Sequence, residues 1–144
     1  MHKSTDSITE TSMRRVVYDR FGDAEVLQLE TVELVEPGAD GVLVRVAGAG
    51  LNPIDWKTRK GLGFAARQIE NSLPWTPGYD AAGEVIAVGD NVTTLAPGDK
   101  VMGMIGFPVI GGAYAQYAVA RLTSWPLCRK SWIWSVPVRC PWRR

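Results

Sequence analysis

Histidine and cysteine, which carry much acid–base, nucleophilic and metal chemistry, are scarce in this sequence of 144 residues. His2 is the single histidine, which excludes a Ser-His-Asp triad and a site with several histidine ligands. Both cysteines, Cys128 and Cys140, lie beyond residue 120. A body without cysteine has no disulfide framework and is typical of a reducing compartment, so we predict a cytoplasmic protein.

Two glycines, Gly48 and Gly50, follow a strand-like run and match part of a dinucleotide-binding fingerprint. Pro53 stands where the third glycine is needed, and no long amphipathic helix follows. That fingerprint cradles a pyrophosphate only at a strand-to-helix turn within a βαβ unit. We therefore interpret the pair as a tight turn in which glycines let the backbone bend, and we predict no Rossmann site here.

The composition places the chain among ordinary globular proteins of about one domain, with 46% apolar and 22% charged residues. A net charge of +1 gives no basic excess for phosphate neutralisation, so no nucleic-acid partner is expected. The sequence has no continuous apolar run long enough for a membrane span, so no membrane partner is expected. Residues 1–12 are polar and lack the apolar stretch of a signal peptide; we predict a disordered leader.

The charge changes sign abruptly near residue 121. Residues 1–120 carry 10 Lys and Arg against 15 Asp and Glu, whereas residues 121–144 carry six basic residues, no acidic one and four of the six tryptophans. Such a shift marks a boundary. We predict one domain over residues 13–121 and a separate tail over residues 122–144.

Short β-branched runs separated by turn residues predict a fold that is mainly β with short helices. A weak helical pattern covers residues 54–67, and a phase slip around Thr31 suggests a β-bulge. About seven short strands at this spacing suggest a partly open barrel. The main strand-like runs are residues 14–18, 26–34, 42–47, 81–88, 101–105 and 113–120.

An ordered set of motifs runs through this domain: GLNPIDWK at residues 50–57, PGYDAAGEV at 77–85, GDKV at 98–101 and GAYAQY at 112–117. Together they closely resemble the N-terminal, GroES-like domain of medium-chain dehydrogenases/reductases, over residues 13–121. Within that superfamily the chain resembles the zinc-independent quinone oxidoreductase branch. The resemblance implies a GroES-like barrel that takes part in hydride transfer from NADPH to a small-molecule quinone or enone.

The resemblance also implies that no zinc is bound. Where the zinc alcohol dehydrogenases of the superfamily carry a cysteine ligand, this chain has Asn52, and Tyr79-Asp80 replace their His-Glu pair. Zinc needs converging thiolate, imidazole or carboxylate ligands. We expect purified protein to contain no zinc.

The same resemblance supplies the candidate site residues, Asn52, Lys57 and Tyr79. Asn52 is expected to donate to a substrate carbonyl or to the nicotinamide carboxamide. Lys57 would attract the NADPH phosphates or stabilise oxyanion charge, or is simply a solvated lysine. Tyr79 would close the substrate pocket. Asp55 is either a cleft residue or a cap or turn residue of the short helix.

In the family, a Rossmann domain that binds NADPH follows the stretch matching residues 113–120. Here a basic, tryptophan-rich tail follows instead, and we expect the chain to be cut short by a frameshift. One codon choice for Arg121 and its successors, read from the third base, encodes Ala-Asp-Glu-Leu-Ala-Pro-Leu-Pro-Glu-Glu. The chain alone is then expected to bind no NADPH tightly and not to oligomerise through the missing domain. The alternative is a stand-alone GroES-like module that binds a partner through its tail.

Overall fold

The computed structural model describes residues 10–121. The cysteines, most of the predicted leader, and the tail with its frameshift and partner-binding hypotheses lie outside the described residues. Two short 3₁₀ turns, Ala24–Val26 and Glu70–Ser72, accompany the main elements. The main strands and helices of the described range are β1 Ser12–Val17, β2 Gln28–Glu33, β3 Gly41–Ala49, α1 Pro53–Arg59, α2 Gly63–Ile69, β4 Asp80–Val88, β5 Lys100–Met104 and β6 Tyr117–Arg121.

Strands β1 and β2 form an antiparallel pair whose register runs without interruption from Ser12 opposite Glu33 to Val17 opposite Gln28. The prediction of a β-bulge at Thr31 is therefore wrong. The phase slip arose because Leu29, an apolar residue, lies on the outward face of β2 and is 67% exposed. An apolar side chain on an exposed face disturbs the sequence pattern without disturbing the backbone.

The other four strands form one antiparallel sheet in the order β5-β4-β3-β6. The register between β3 and β4 shifts twice, between Leu43 and Val44 and again between Val46 and Gly48. Bulges of this kind bend and twist a strand locally. The two sheets with their short helices confirm the predicted fold class, mainly strands in a partly open arrangement.

The weak helical pattern over residues 54–67 corresponds to two short helices, α1 and α2, rather than one. They are separated by residues 60–62, where Gly61 has a φ of +77°. A positive φ ends a right-handed helix and is readily adopted only by glycine. Helix α2 buries Ala65, Ala66 and Ile69, which anchors it to the domain.

Three clusters of buried apolar side chains form the core. One is aliphatic and lies between β3, β4 and β5. A second is built mainly from alanines around Ile105. The third is aromatic and contains Tyr18, Val26, Ile69, Trp75 and Tyr79. In the described part of the chain, neither helix has the length and apolar character needed to cross a membrane.

Candidate functional site

The antiparallel pairing of β3 and β4 brings the start of α1 next to the start of β4. Ala49, the last residue of β3, pairs with Ala81, and the Gly50 amide donates to the Asp80 carbonyl at 2.9 Å. Asn52 precedes α1 and Asp80 opens β4, so the two side chains meet although they are 28 residues apart. The Asn52 Nδ2 donates to Asp80 Oδ2 at 2.7 Å. Both side chains are half-buried.

Asp55 lies in the first turn of α1, one turn after Asn52. Its Oδ2 accepts a hydrogen bond from the Asn52 backbone amide at 2.8 Å, which satisfies a donor at the helix start and suits the positive end of the helix dipole. The interpretation of Asp55 as a capping residue is thereby confirmed. The Asp55 side chain is buried, with 6% of the residue exposed.

Tyr114 reaches the same place from the loop before β6. Its hydroxyl donates to Asp55 Oδ2 at 3.2 Å, and it lies 3.3 Å from the Gly50 carbonyl. The Tyr114 backbone amide donates to the Pro77 carbonyl at 3.1 Å, so the loop is tied to the segment just before β4. We call Asn52, Asp55, Asp80 and Tyr114 the polar cluster.

Burial dominates the electrostatics of the polar cluster. It raises the pKa of the Asp55 carboxyl, and the carboxylate of Asp80 adds to the rise. The hydrogen bonds from Asn52 and Tyr114, and the nearby Gly78 amide, lower that pKa in part. Burial likewise raises the pKa of the Tyr114 hydroxyl, and the neighbouring Asp55 raises it further. Tyr114 is therefore a hydrogen-bond donor, not a base, near neutral pH.

Gly50 leaves the room in which Asn52 and Asp80 meet. A Cβ on Gly50 would lie 2.9 Å from the Asp80 Cβ and 3.4 Å from Asn52 Nδ2. Gly48 lies within β3, and neither Gly48 nor Gly50 is among the glycines with positive φ. The interpretation of the pair as a tight turn is wrong: Gly50 is required by close packing, and Gly48 lies inside β3 next to a register shift.

Tyr79, the residue before β4, lies in the aromatic core cluster and is 1% exposed. Its hydroxyl donates to the Pro108 carbonyl at 3.1 Å, and its ring contacts Phe107 edge-on, with centroids 5.0 Å apart. Burial raises the pKa of Tyr79 to about 12. Its side chain thus packs against Phe107 and binds the Pro108 carbonyl from within the core. Its role toward a substrate stays a prediction.

Lys57 lies on the exposed side of α1 and is not part of the polar cluster. Its Nζ lies 5.6 Å from the centroid of the Trp56 ring, a cation–π arrangement on the surface. Phe64 and Phe107 pair edge-on with centroids 5.6 Å apart and are both exposed. Of the three predicted site residues, then, the structure brings only Asn52 into a hydrogen-bonded cluster.

The start of α1 is poorly suited to a phosphate. Pro53 occupies the first helical position and has no amide hydrogen to donate. The Asp55 carboxylate already accepts from the Asn52 amide and would repel a second anion. Within residues 10–121, no three His, Cys, Asp or Glu side chains lie together as a metal site would require.

Two open hollows occur elsewhere on the described surface. One, of about 490 Å³, lies between residues 105–110 and the end of β6. The other, of about 400 Å³, lies beside β1 and includes Tyr114 in its wall. The polar cluster therefore touches one hollow through Tyr114, while the Asn52 and Asp80 side chains belong to neither lining.

The cluster offers a fixed, uncharged donor. The Asn52 amide can donate a hydrogen bond to a carbonyl oxygen. Sequence reasoning gave Asp80 and Tyr114 no positive role. In the sequence, the two residues are marked only by their places in the motifs at residues 77–85 and 112–117. The strand register and the backbone hydrogen bonds are needed to show that these motifs meet the start of α1.

The fold is a β-rich domain with two short helices and a polar cluster where β3 ends and β4 begins. The chain belongs to the alcohol dehydrogenase GroES-like domain family, whose model matches residues 38–127. The sequence-based assignment to the GroES-like domain of quinone oxidoreductases is confirmed by the matching relatives.

Three similar proteins illustrate the relationship. An NADPH-dependent alkenal/one oxidoreductase of Arabidopsis thaliana is 34% identical over 122 residues, covering 84% of this chain and 31% of that protein. The structure of a quinone oxidoreductase from Coxiella burnetii matches with a TM-score of 0.75 and 42% identity, covering 78% of this chain and 36% of that chain. Escherichia coli quinone oxidoreductase in complex with NADPH matches with a TM-score of 0.69 and 28% identity, covering 79% and 34%. The chain thus spans about a third of the length of the curated relatives it matches.

Proposed function

We propose that this chain forms the substrate-side domain of an oxidoreductase that reduces quinones or enones with NADPH and without zinc. The observation that carries the proposal is the half-buried Asn52 amide, held by Asp80 at 2.7 Å, in a chain similar to quinone and alkenal/one oxidoreductases. NADPH, when bound, supplies the hydride. The chain's own residues bind and orient the acceptor.

In this proposal Asn52 donates a hydrogen bond to the carbonyl oxygen of the acceptor, or to the carboxamide of the nicotinamide. A donor aimed at that oxygen stabilises the negative charge that develops as hydride reaches the conjugated carbon. Asp80 holds the amide. Tyr79 acts indirectly by supporting Phe107, and exposed Lys57 is proposed as a contact for the cofactor's anionic part.

The described residues fit only one end of the cofactor. The Asn52 amide suits the nicotinamide carboxamide, whereas the start of α1, with Pro53 and the Asp55 carboxylate, does not suit the pyrophosphate. We therefore propose that residues 10–121 offer the cofactor phosphates no more than a surface contact with Lys57, and that turnover by this chain alone is negligible. A cytoplasmic location remains part of the proposal.

An NMR titration tests the role of Asn52. The full chain, labelled with ¹⁵N-asparagine, is titrated with 2-cyclohexen-1-one while the Asn52 side-chain amide is observed, identified by its loss in Asn52→Ala. We expect this signal to move as the enone binds, because its N–H meets the carbonyl. Cyclohexene, which lacks the carbonyl, and the exposed Asn91 amide serve as controls. An Asn52 signal that stays fixed to the solubility limit of the enone would contradict the proposal.

A further inference from the structure

Asp80 forms the shortest hydrogen bond of the polar cluster, yet the proposed chemistry needs no acid or base at that position. We propose that Asp80 is a positioning residue: its carboxylate fixes which end of the Asn52 carboxamide faces the sheet and so presents the second N–H to a ligand carbonyl. The use made of that N–H rests on the proposed function. The orientation itself does not, and can be tested separately.

The chemistry of the two groups determines the orientation. An ionised carboxylate only accepts hydrogen bonds, whereas a carboxamide has a donating nitrogen and an accepting oxygen. With Asp80 Oδ2 lying 2.7 Å from the Asn52 amide, the nitrogen must face Asp80 and the oxygen must face away. A neutral amide or hydroxyl in place of Asp80 would accept either orientation, since it both donates and accepts.

The backbone around this pair fixes its distance. The Gly50 amide donates to the Asp80 carbonyl at 2.9 Å, which locks the segment before Asn52 onto the first residue of β4. A Cβ on Gly50 would lie 3.2 Å from Asp80 Oδ2, so only glycine leaves the carboxylate undisturbed. Three features thus converge on one contact: strand pairing, a small residue at position 50, and a donor facing an acceptor.

The Asn52 Nδ2 carries two hydrogens, and Asp80 accepts a hydrogen bond from one of them. Among residues 10–121, the second has no hydrogen-bond partner. Asn52 is half-buried rather than buried. The chemistry selects a carbonyl oxygen of a quinone, an enone or a carboxamide, and disfavours a ligand that can only donate.

The test compares the Asn52 side-chain amide signals of the ¹⁵N-asparagine-labelled full chain between the wild type and variants at one neutral pH. Other groups that act on Asp80 or Asn52 here are Asp55 in α1 and Tyr114 in the loop before β6. We expect one Asn52 Nδ2 proton to resonate further downfield in the wild type than in Asp80→Ala, because a hydrogen bond to Asp80 Oδ2 deshields it. This downfield shift should weaken in Asp80→Asn and remain in Asp55→Asn, which keeps Asp80.

Asn91 provides an internal control because its Nδ2 donates to Asp40 Oδ1 at 2.8 Å on the exposed surface. Its side-chain signals should stay unchanged in every variant. The inference is overturned if the Asn52 amide signals also stay unchanged when Asp80 is replaced by alanine.

A second measurement separates this inference from the proposed function. The response of Asn52 to 2-cyclohexen-1-one should be weaker in Asp80→Asn than in the wild type, because a neutral amide at position 80 also accepts the reversed Asn52 orientation. An Asn52 amide whose signals depend on Asp80 but do not respond to the enone would refute the proposed function and leave the orientation supported. An equal enone response in wild type and Asp80→Asn would refute the positioning role.

Discussion

Asp55 is the residue on which the rest of the polar cluster depends. Its carboxylate accepts hydrogen bonds from the Asn52 backbone amide and the Tyr114 hydroxyl, yet it is buried and lies near a second carboxylate, Asp80. Burial costs more than these hydrogen bonds return, so the pKa of Asp55 is raised. Folding therefore disfavours the ionised form of Asp55 relative to the unfolded chain.

This shift predicts a pH-dependent effect of Asp55→Asn. A raised pKa means that the folded state binds more protons than the unfolded state, so the stability owed to Asp55 is full below its ordinary pKa of about 3.9 and is lost as the pH rises through the folded value. Asn stays neutral throughout. Relative to the wild type, Asp55→Asn should therefore be more stable at pH 7 than at about pH 4.

Urea unfolding of both proteins at the two pH values measures this difference. Asp90→Asn, at an exposed position, is the matched control and should show no comparable trend. A difference between Asp55→Asn and the wild type that is constant with pH, or that reverses, would show that burial does not dominate at Asp55.

At the scale of elements, the site is a junction where β3, α1 and β4 meet. Strand β3 ends at Ala49, α1 begins at Pro53, and the few residues between them must pass directly over Asp80. Gly50 makes this passage possible, since any side chain there would push against the Asp80 Cβ. The helix is short, so its position depends on this junction more than on its own length.

Gly50→Ala should therefore destabilise the domain, with Gly48→Ala as its matched control. The new Cβ at Gly50 would lie 2.9 Å from the Asp80 Cβ, whereas one at Gly48 would meet nothing within 4 Å. We expect a loss of about 1–3 kcal/mol in the free energy of unfolding for Gly50→Ala and a change within about 0.5 kcal/mol for Gly48→Ala.

Urea denaturation provides these free energies, and the Asn52 side-chain amide signal should shift only in Gly50→Ala. Equal stability of the two variants would mean that the junction relaxes without cost, so that close packing at Gly50 does not fix the contact between Asn52 and Asp80.

At the scale of the whole molecule, two sheets and three core clusters hold the polar cluster in place. Recognition of a phosphate group requires a further structural element. Relatives of this chain are about three times as long. In dinucleotide-binding folds, a pyrophosphate is held by a glycine-rich turn that opens a helix. The part of the chain that the structure describes has only a seven-residue helix, α1, at its polar cluster, with a carboxylate in its first turn.

NADPH should therefore show no saturable binding to the full 144-residue chain in the micromolar range. Micromolar affinity requires about 8 kcal/mol, whereas one or two hydrogen bonds from Asn52 contribute about 0.5–1.5 kcal/mol each. Tryptophan emission during an NADPH titration is a suitable readout, since Trp56 is 44% exposed next to Lys57. Free tryptophan at equal absorbance corrects for inner-filter loss. Micromolar saturation with steady NADPH oxidation by a quinone would contradict this prediction.

The sequence by itself determined the fold class, the family and the scarcity of histidine and cysteine. These follow from local signals: alternating apolar residues predict strands, glycine and proline mark turns, and the motifs at residues 50–57 and 77–85 keep their order. The same local signals failed at Thr31, because an exposed Leu29 disturbs the alternation while the strand pairing continues.

Only the tertiary structure decided which polar groups meet. Asn52 contacts Asp80 because β3 and β4 pair in a register that two bulges shift, and a one-residue slip would turn each side chain to the other face. The same pairing leaves Asp80 half-buried at the edge and puts Tyr79, its neighbour, in the core. Residue types can be read along the chain, but contacts between distant strands depend on the register of the whole sheet.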